Sequence, residues 1–226
     1  MSCNFKIILT GASGLIGSAI ADALYKSGMN LVLACKRSQK LQDRYLSDDK
    51  SKRAYFWYRD LTNEKACREL VEYAVQQMGG VDVLINCAGV FNFSALEEMT
   101  YSRITDTIST NLLAPIYLTH LVLPYIKTSA CPIIVNISSI AGFSSLPEGA
   151  CYAASKWGLN GFIHSIREEL RKKSIHICNI SPCQVKTLSH HSDTAIRTIA
   201  PENIANAVIL VLSYVQKTSS SIDVVL

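Results

Sequence analysis

Short apolar runs alternate with longer amphipathic stretches along the whole chain. Residues 5–9, 30–35, 54–58, 81–85, 133–137 and 175–180 are each rich in Ile, Val, Leu, Cys and aromatic residues, with little apolar–polar alternation. Runs of that kind read as strands buried on both faces, as in a parallel sheet covered by helices. The intervening stretches 18–25, 41–50, 64–78, 98–127, 152–173 and 201–214 carry apolar residues at helical spacing. Gly79-Gly80 closes the third of these and Pro201 opens the last. The 98–127 stretch is interrupted at Pro115, whose missing N–H cannot serve the carbonyl four residues earlier, that of Asn111. Residues 221–226 suit a final edge strand. Strand and helix in regular succession predict a single doubly wound α/β domain over residues 1–226, with seven mostly parallel strands and helices on both faces.

Composition narrows the class. The chain has 226 residues, 49% of them hydrophobic and 18% charged, with a net charge of +4 spread without a basic block. This suits one globular domain and points to neither a nucleic-acid nor a membrane partner. Eight cysteines show no C-x-x-C pair and no metal-ligand rhythm. They read as reduced thiols in a cytoplasmic setting. The adjacent His190-His191 do not read as a metal site, because neighbouring residues rarely converge on one ion.

The first strand runs into Thr10-Gly11-Ala12-Ser13-Gly14-Leu15-Ile16-Gly17 and then a helix. A strand, a glycine-rich turn and a helix amino terminus make a phosphate site: glycines admit a pyrophosphate, and the free N–H groups and helix dipole favour its charge. Gly11, Ser13, Gly14, Leu15, Ile16 and Gly17 are therefore the candidate dinucleotide cradle. An NAD-specific site places an acid at the end of the second strand, to hold the ribose 2′-hydroxyl. Here Cys35 stands there, followed by Lys36 and Arg37, two cations suited to a 2′-phosphate. The expected cofactor is NADP(H) rather than NAD(H).

The second candidate site begins where strand 133–137 ends in Ser138-Ser139 and continues into a helix carrying Tyr152 and Lys156. Positions i and i+4 share a helix face, so phenol and ammonium meet one space. A nearby cation favours the phenolate and is expected to lower the tyrosine pKa toward neutrality. Ser139, at the carboxyl end of the strand, presents a hydroxyl to the same region.

Ser139, Tyr152 and Lys156 in this spacing, behind an amino-terminal glycine turn, resemble the short-chain dehydrogenases/reductases. The 3-oxoacyl-carrier-protein-reductase-like members are most similar, over residues 5 to about 187. The resemblance implies a Rossmann fold and NADPH-dependent interconversion of a ketone, including 3-oxoacyl thioesters, with a secondary alcohol. It gives Ser139, Tyr152 and Lys156 the catalytic roles and has the Asn111 carbonyl hold a water linked to the lysine. It also implies that Asp60 and Leu61 face the adenine and that Asn86-Cys87-Ala88-Gly89 matches N-N-A-G, bringing Asn86, Ala88 and Gly89 to the cofactor. Likewise Pro182, Val185 and Thr187 match the P-G-x-V-x-T turn, with Cys183 in place of glycine. The family's pairing of two long helices implies a homodimer or homotetramer. Residues 188–200 fall where the family carries its substrate lid. One departure is the glycine spacing, T-G-x-x-G-x-x-G here against T-G-x-x-x-G-x-G. It keeps a nucleotide-sugar epimerase or dehydratase open as an alternative, beside a non-catalytic cofactor sensor.

Overall fold

The computed structural model describes residues 4–36, 38–46, 53–186 and 198–226. In chain order the elements are β1 (Lys6–Thr10), α1 (Leu15–Lys26), β2 (Asn30–Cys35), α2 (Gln39–Leu46), β3 (Ala54–Tyr58), α3 (Glu64–Met78) and β4 (Val83–Asn86). They continue with α4 (Tyr101–Ile108), α5 (Ala114–Ile126), β5 (Ile133–Ile137), α6 (Ala150–Leu170), β6 (His176–Ser181), β7 (Gln184–Val185), β8 (Thr198–Ile199), α7 (Pro201–Thr218) and β9 (Asp223–Val225). Seven strands form one sheet in the order β3-β2-β1-β4-β5-β6-β9, every pair parallel. β7 and β8 make a separate small ladder. The α/β expectation holds, with seven parallel strands.

The unbroken apolar runs have a physical cause. Along β1, Ile7 and Leu9 face α1 and α7, whereas Ile8 faces α3 and α5. Strands β2, β4 and β5 divide their side chains in the same way, and nearly all are fully buried. Burial on both faces removes the polar alternation a half-exposed strand would show. Among the described residues no helix is long and apolar enough to cross a membrane.

The 98–127 stretch differs from its expected form. Leu96–Glu98 is a separate 3₁₀ turn, and the helix starts at Tyr101, where the Thr100 hydroxyl accepts the Arg103 N–H at 3.3 Å. The irregularity lies ahead of Pro115, as a π-helical turn over Ser109–Leu113 in which Ala114 N–H reaches back to the Ser109 carbonyl. Because Pro115 cannot donate, the helix widens by one residue before it and resumes as α5. The last helix runs past residue 214 to Thr218, where Ser219 adopts a left-handed φ of 52°.

Candidate active site

The strand order reverses between β1 and β4, parallel neighbours from which the chain leaves toward opposite faces of the sheet, to α1 and to α5. That crevice at the carboxyl ends is where open α/β sheets bind ligands. The Thr10 hydroxyl closes its floor, accepting the N–H groups of Cys87 and Ala88 at 3.0 Å each. Gly11 makes the tight passage possible. Its φ is +69°, and a Cβ there would lie 2.7 Å from the Ala88 Cα. At Gly17 a Cβ would fall 2.1 Å from the Gly11 carbonyl oxygen, so the helix can start this close to the turn only without a side chain. Gly14 is different, with φ −72° and a nearest neighbour at 3.2 Å. The unusual glycine spacing therefore moves only the glycine that sterics demand least, and Leu15, exposed at 46%, occupies the position the family usually leaves bare.

No side chain caps α1 at Gly14. The N–H groups of Leu15, Ile16 and Gly17 thus lack intrahelical partners and face outward at the positive end of the helix dipole. Ser13 hydrogen-bonds the Cys35 thiol at the end of β2, which sets the turn beside Lys36. Lys36 is largely exposed and pairs with Asp60 at 3.3 Å. Asp60 also accepts the Thr62 N–H at 3.1 Å. Capping of α3 falls to Asn63, whose side chain accepts the Ala66 N–H, so Asp60 is not the helix cap. Leu61 is buried in the core and can meet a ligand only through its backbone. These residues fit a dinucleotide: uncapped N–H groups, a cradle a Cβ would fill, and a cation, Lys36, just past the end of β2.

On the other side of the crevice, β5 delivers Ser139. Its hydroxyl oxygen accepts the Ala141 N–H at 3.1 Å, and the hydroxyl contacts the Tyr152 phenol. Lys156 is 5% exposed, donates to the Ile137 carbonyl at 3.0 Å, and lies 5.7 Å from the centroid of the Tyr152 ring. The three residues expected together do converge. The expected electrostatics need a correction. Burial pushes the Tyr152 phenol up from its ordinary value, and the Ser139 hydrogen bond only partly opposes this. Burial also pushes Lys156 down, to about 8, with the neighbouring Cys87 opposing. Burial dominates both groups, because they sit in the same low-dielectric place.

Asn111, in the π-helical turn, is 1% exposed. Its side-chain oxygen accepts the Val90 N–H at 2.8 Å, and its amide donates to the Val90 carbonyl at 2.9 Å and to Ser155 at 3.2 Å. It clamps the segment after β4 onto α6, leaving its main-chain carbonyl as the atom relevant to the expected water. Asn86 is buried and gives its amide to Asn136 at 2.9 Å, so it braces the sheet beneath the site. Ala88 and Gly89 border the crevice. Pro182 accepts the Ile140 N–H at 3.0 Å, joining the loops after β5 and β6, and Val185 pairs with Ile199. Cys183 is not among the residues of positive φ, so glycine is not needed there, and its N–H reaches the Leu226 carbonyl at 2.7 Å. Arg37, Thr187, His190 and His191 lie outside the described residues. Among the described residues no three His, Cys, Asp or Glu side chains are grouped to hold a metal.

Sequence reasoning passed over Thr10, Ser155 and Phe91. Thr10 and Ser155 were legible only as members of T-G and Y-x-x-S-K, since their partners are more than 40 residues distant. Phe91, edge-on to the Tyr152 ring at 4.7 Å, had no signal beyond following the N-C-A-G segment.

Comparison with known proteins agrees with this geometry. A family model for short-chain dehydrogenases matches residues 6–196. An uncharacterized oxidoreductase of Staphylococcus haemolyticus is 32% identical over 208 residues, covering 91% of this chain and 90% of its own. One of Staphylococcus aureus is 30% identical over 210 residues with the same coverage. A metagenomic short-chain oxidoreductase crystallised with NADP superposes with a TM-score of 0.85 at 31% identity, covering 100% of this chain and 98% of that one. The chain belongs to the short-chain dehydrogenase/reductase family and is an oxidoreductase of that family.

Proposed function

We propose that the protein reduces a ketone to a secondary alcohol with NADPH, or runs the reverse. The observation that carries this reading is the convergence of Ser139, Tyr152 and Lys156 beside the glycine cradle. When bound, NADPH supplies a hydride to the carbonyl carbon and leaves as NADP⁺. Ser139 keeps its own proton to donate, because its oxygen is already engaged by Ala141 N–H, and so it orients the carbonyl oxygen. Tyr152, held neutral by burial, enters as the acid and gives its phenolic proton to that oxygen, turning C=O into C–OH. Lys156 is an ammonium at neutral pH and tethered to Ile137. It stabilises the phenolate that remains and binds the ribose hydroxyls. The Asn111 carbonyl holds the water that returns the proton.

The cofactor cradle comprises Gly11, Ser13, Gly14, Leu15, Ile16 and Gly17 at the phosphates, Asp60 and Leu61 near the adenine, and Ala88 and Gly89 along the ribose. Pro182 and Val185, with Thr187 from the same motif, are assigned to the nicotinamide. Lys36 and Arg37 take the 2′-phosphate, and the NADP held by the metagenomic relative supports that choice. Assembly into a dimer or tetramer would bury the exposed Tyr101 and Trp157 of the long helices, and sedimentation measures it. Loss of absorbance at 340 nm with NADPH and a ketone panel, 3-oxoacyl thioesters included, tests the reaction. Tyr152→Phe is expected to lower turnover by about 10³-fold or more with NADPH binding retained; a variant that keeps a tenth of the activity would refute the assignment.

A further inference from the structure

Phe91 is a large ring left 65% exposed beside the catalytic tyrosine. It is nevertheless fixed. Its ring packs edge-on against Tyr152 at 4.7 Å and 74°, and against Phe93 at 4.2 Å. The surrounding backbone is pinned by both Val90–Asn111 hydrogen bonds, by Asn92 to Thr107 at 3.0 Å, and by Ser94 N–H to the Glu148 carbonyl at 2.9 Å. Phe93 continues the apolar surface toward the loop before α6: a Cβ on Gly149 would lie 2.9 Å from its ring and 2.7 Å from Leu146. The two loops that flank Tyr152, residues 88–96 and 140–149, contain a single charged residue, Glu148, and no cation. The Arg103 guanidinium that approaches is turned to the Phe93 carbonyl at 3.4 Å.

An exposed aromatic face, rigid and touching the proton donor, is suited to stacking a flat neutral group attached to the reacting carbon. An anionic substituent would find no partner on these loops and would meet the Glu148 carboxylate on their rim. We infer that Phe91 is the platform for the substrate's carbonyl substituent, and that the ketone class this site prefers bears an aryl or similarly flat, uncharged group. The inference rests on Tyr152 as the proton donor of a ketone reductase.

The test uses the purified full-length protein and two probes, acetophenone and 2-butanone. The parent protein is expected to show kcat/KM at least tenfold higher for acetophenone. Phe91→Ala is expected to reduce the ratio of the two values by about tenfold, which corresponds to about 1.4 kcal/mol. Phe91→Leu keeps an apolar side chain without the aromatic face, and the ratio should fall there too; a parental ratio in Phe91→Leu overturns the aryl assignment. Calorimetric binding of acetophenone to the NADP⁺-loaded protein reads the same contact without turnover, and Phe91→Ala should weaken it about tenfold. If ketones are reduced but ratio and binding are the same in parent and variant, the platform is overturned while the reductase reading stands. If no ketone is reduced yet acetophenone binding weakens tenfold in the variant, the platform stands and the reductase reading is lost.

Discussion

The two sides of the crevice are built by opposite means. On the β1–α1 side the ligand surface is backbone, and what matters is the absence of atoms: at Gly11 and Gly17 any Cβ collides with main chain. On the β5–α6 side the surface is side chain, and what matters is which groups are buried and how they are bonded. Lys156 lies inside the protein with one carbonyl partner, and Tyr152 and Ser139 share a hydrogen bond. A backbone site is sensitive to volume and indifferent to much side-chain chemistry. Cys35 and Leu15 can accordingly sit beside it where other family members carry different residues. A side-chain site is held against stability, because burying an ionisable group costs free energy that folding elsewhere must offset.

The largest expected effect separates two glycines on the first side. Gly17→Ala places a methyl 2.1 Å from a main-chain oxygen and is expected to cost more than the roughly 1–3 kcal/mol typical of overpacking. Denaturant midpoints and NADPH titration should show both stability and binding lost. Gly14→Ala, whose nearest neighbour is 3.2 Å away, should cost no more than about 1 kcal/mol. Equal damage from the two would contradict the steric account.

Lys156→Met probes the second side with the opposite sign. The folded lysine, at about 8, lies below its ordinary 10.5, so below pH 8 the fold carries a buried charge. That shift corresponds to ~3 kcal/mol, and loss of the bond to Ile137 returns about 1 kcal/mol. The variant should be inactive yet more stable than the parent by roughly 2 kcal/mol at neutral pH. Between about 8 and 10.5 the unfolded lysine holds more protons than the folded one, so parent stability rises with pH and the difference closes. Thermal melts at pH 7 and pH 10 without cofactor measure it; a variant less stable at both would break the contrast.

Neutralising Lys36 and Arg37 together is a smaller perturbation at the first side. NADPH affinity should fall about tenfold or more while NADH affinity changes less, because the charges removed are those proposed to meet the extra phosphate and Lys36 is otherwise held only by an exposed pair with Asp60. Parallel losses for both cofactors would sink the NADP assignment. The smallest effect belongs to Glu148. It sits at φ 58° in the Leu146–Gly149 turn, after Pro147, where a left-handed residue is required. Glu148→Gly should raise stability by about 0.5–1 kcal/mol by relieving that strain. No gain in a melt would mean the loop does not carry it.

Seven strands in a mostly parallel sheet, the Glu64–Met78 helix and the convergence of Ser139, Tyr152 and Lys156 were legible in the sequence. Doubly buried strands announce themselves as unbroken apolar runs, and proline and glycine act on the backbone locally. Pro115 even forecast the disturbance around Asn111, though not its form, since whether a chain kinks or widens depends on what packs against it. Only the tertiary structure decided which glycines are indispensable, because the atoms a Cβ would strike belong to Ala88 and Gly11 across the turn. It alone revealed that Tyr152 and Lys156 are shifted by their shared burial more than by one another. Spacing along a helix tells which groups share a face; the dielectric they share is set by everything else that folds around them.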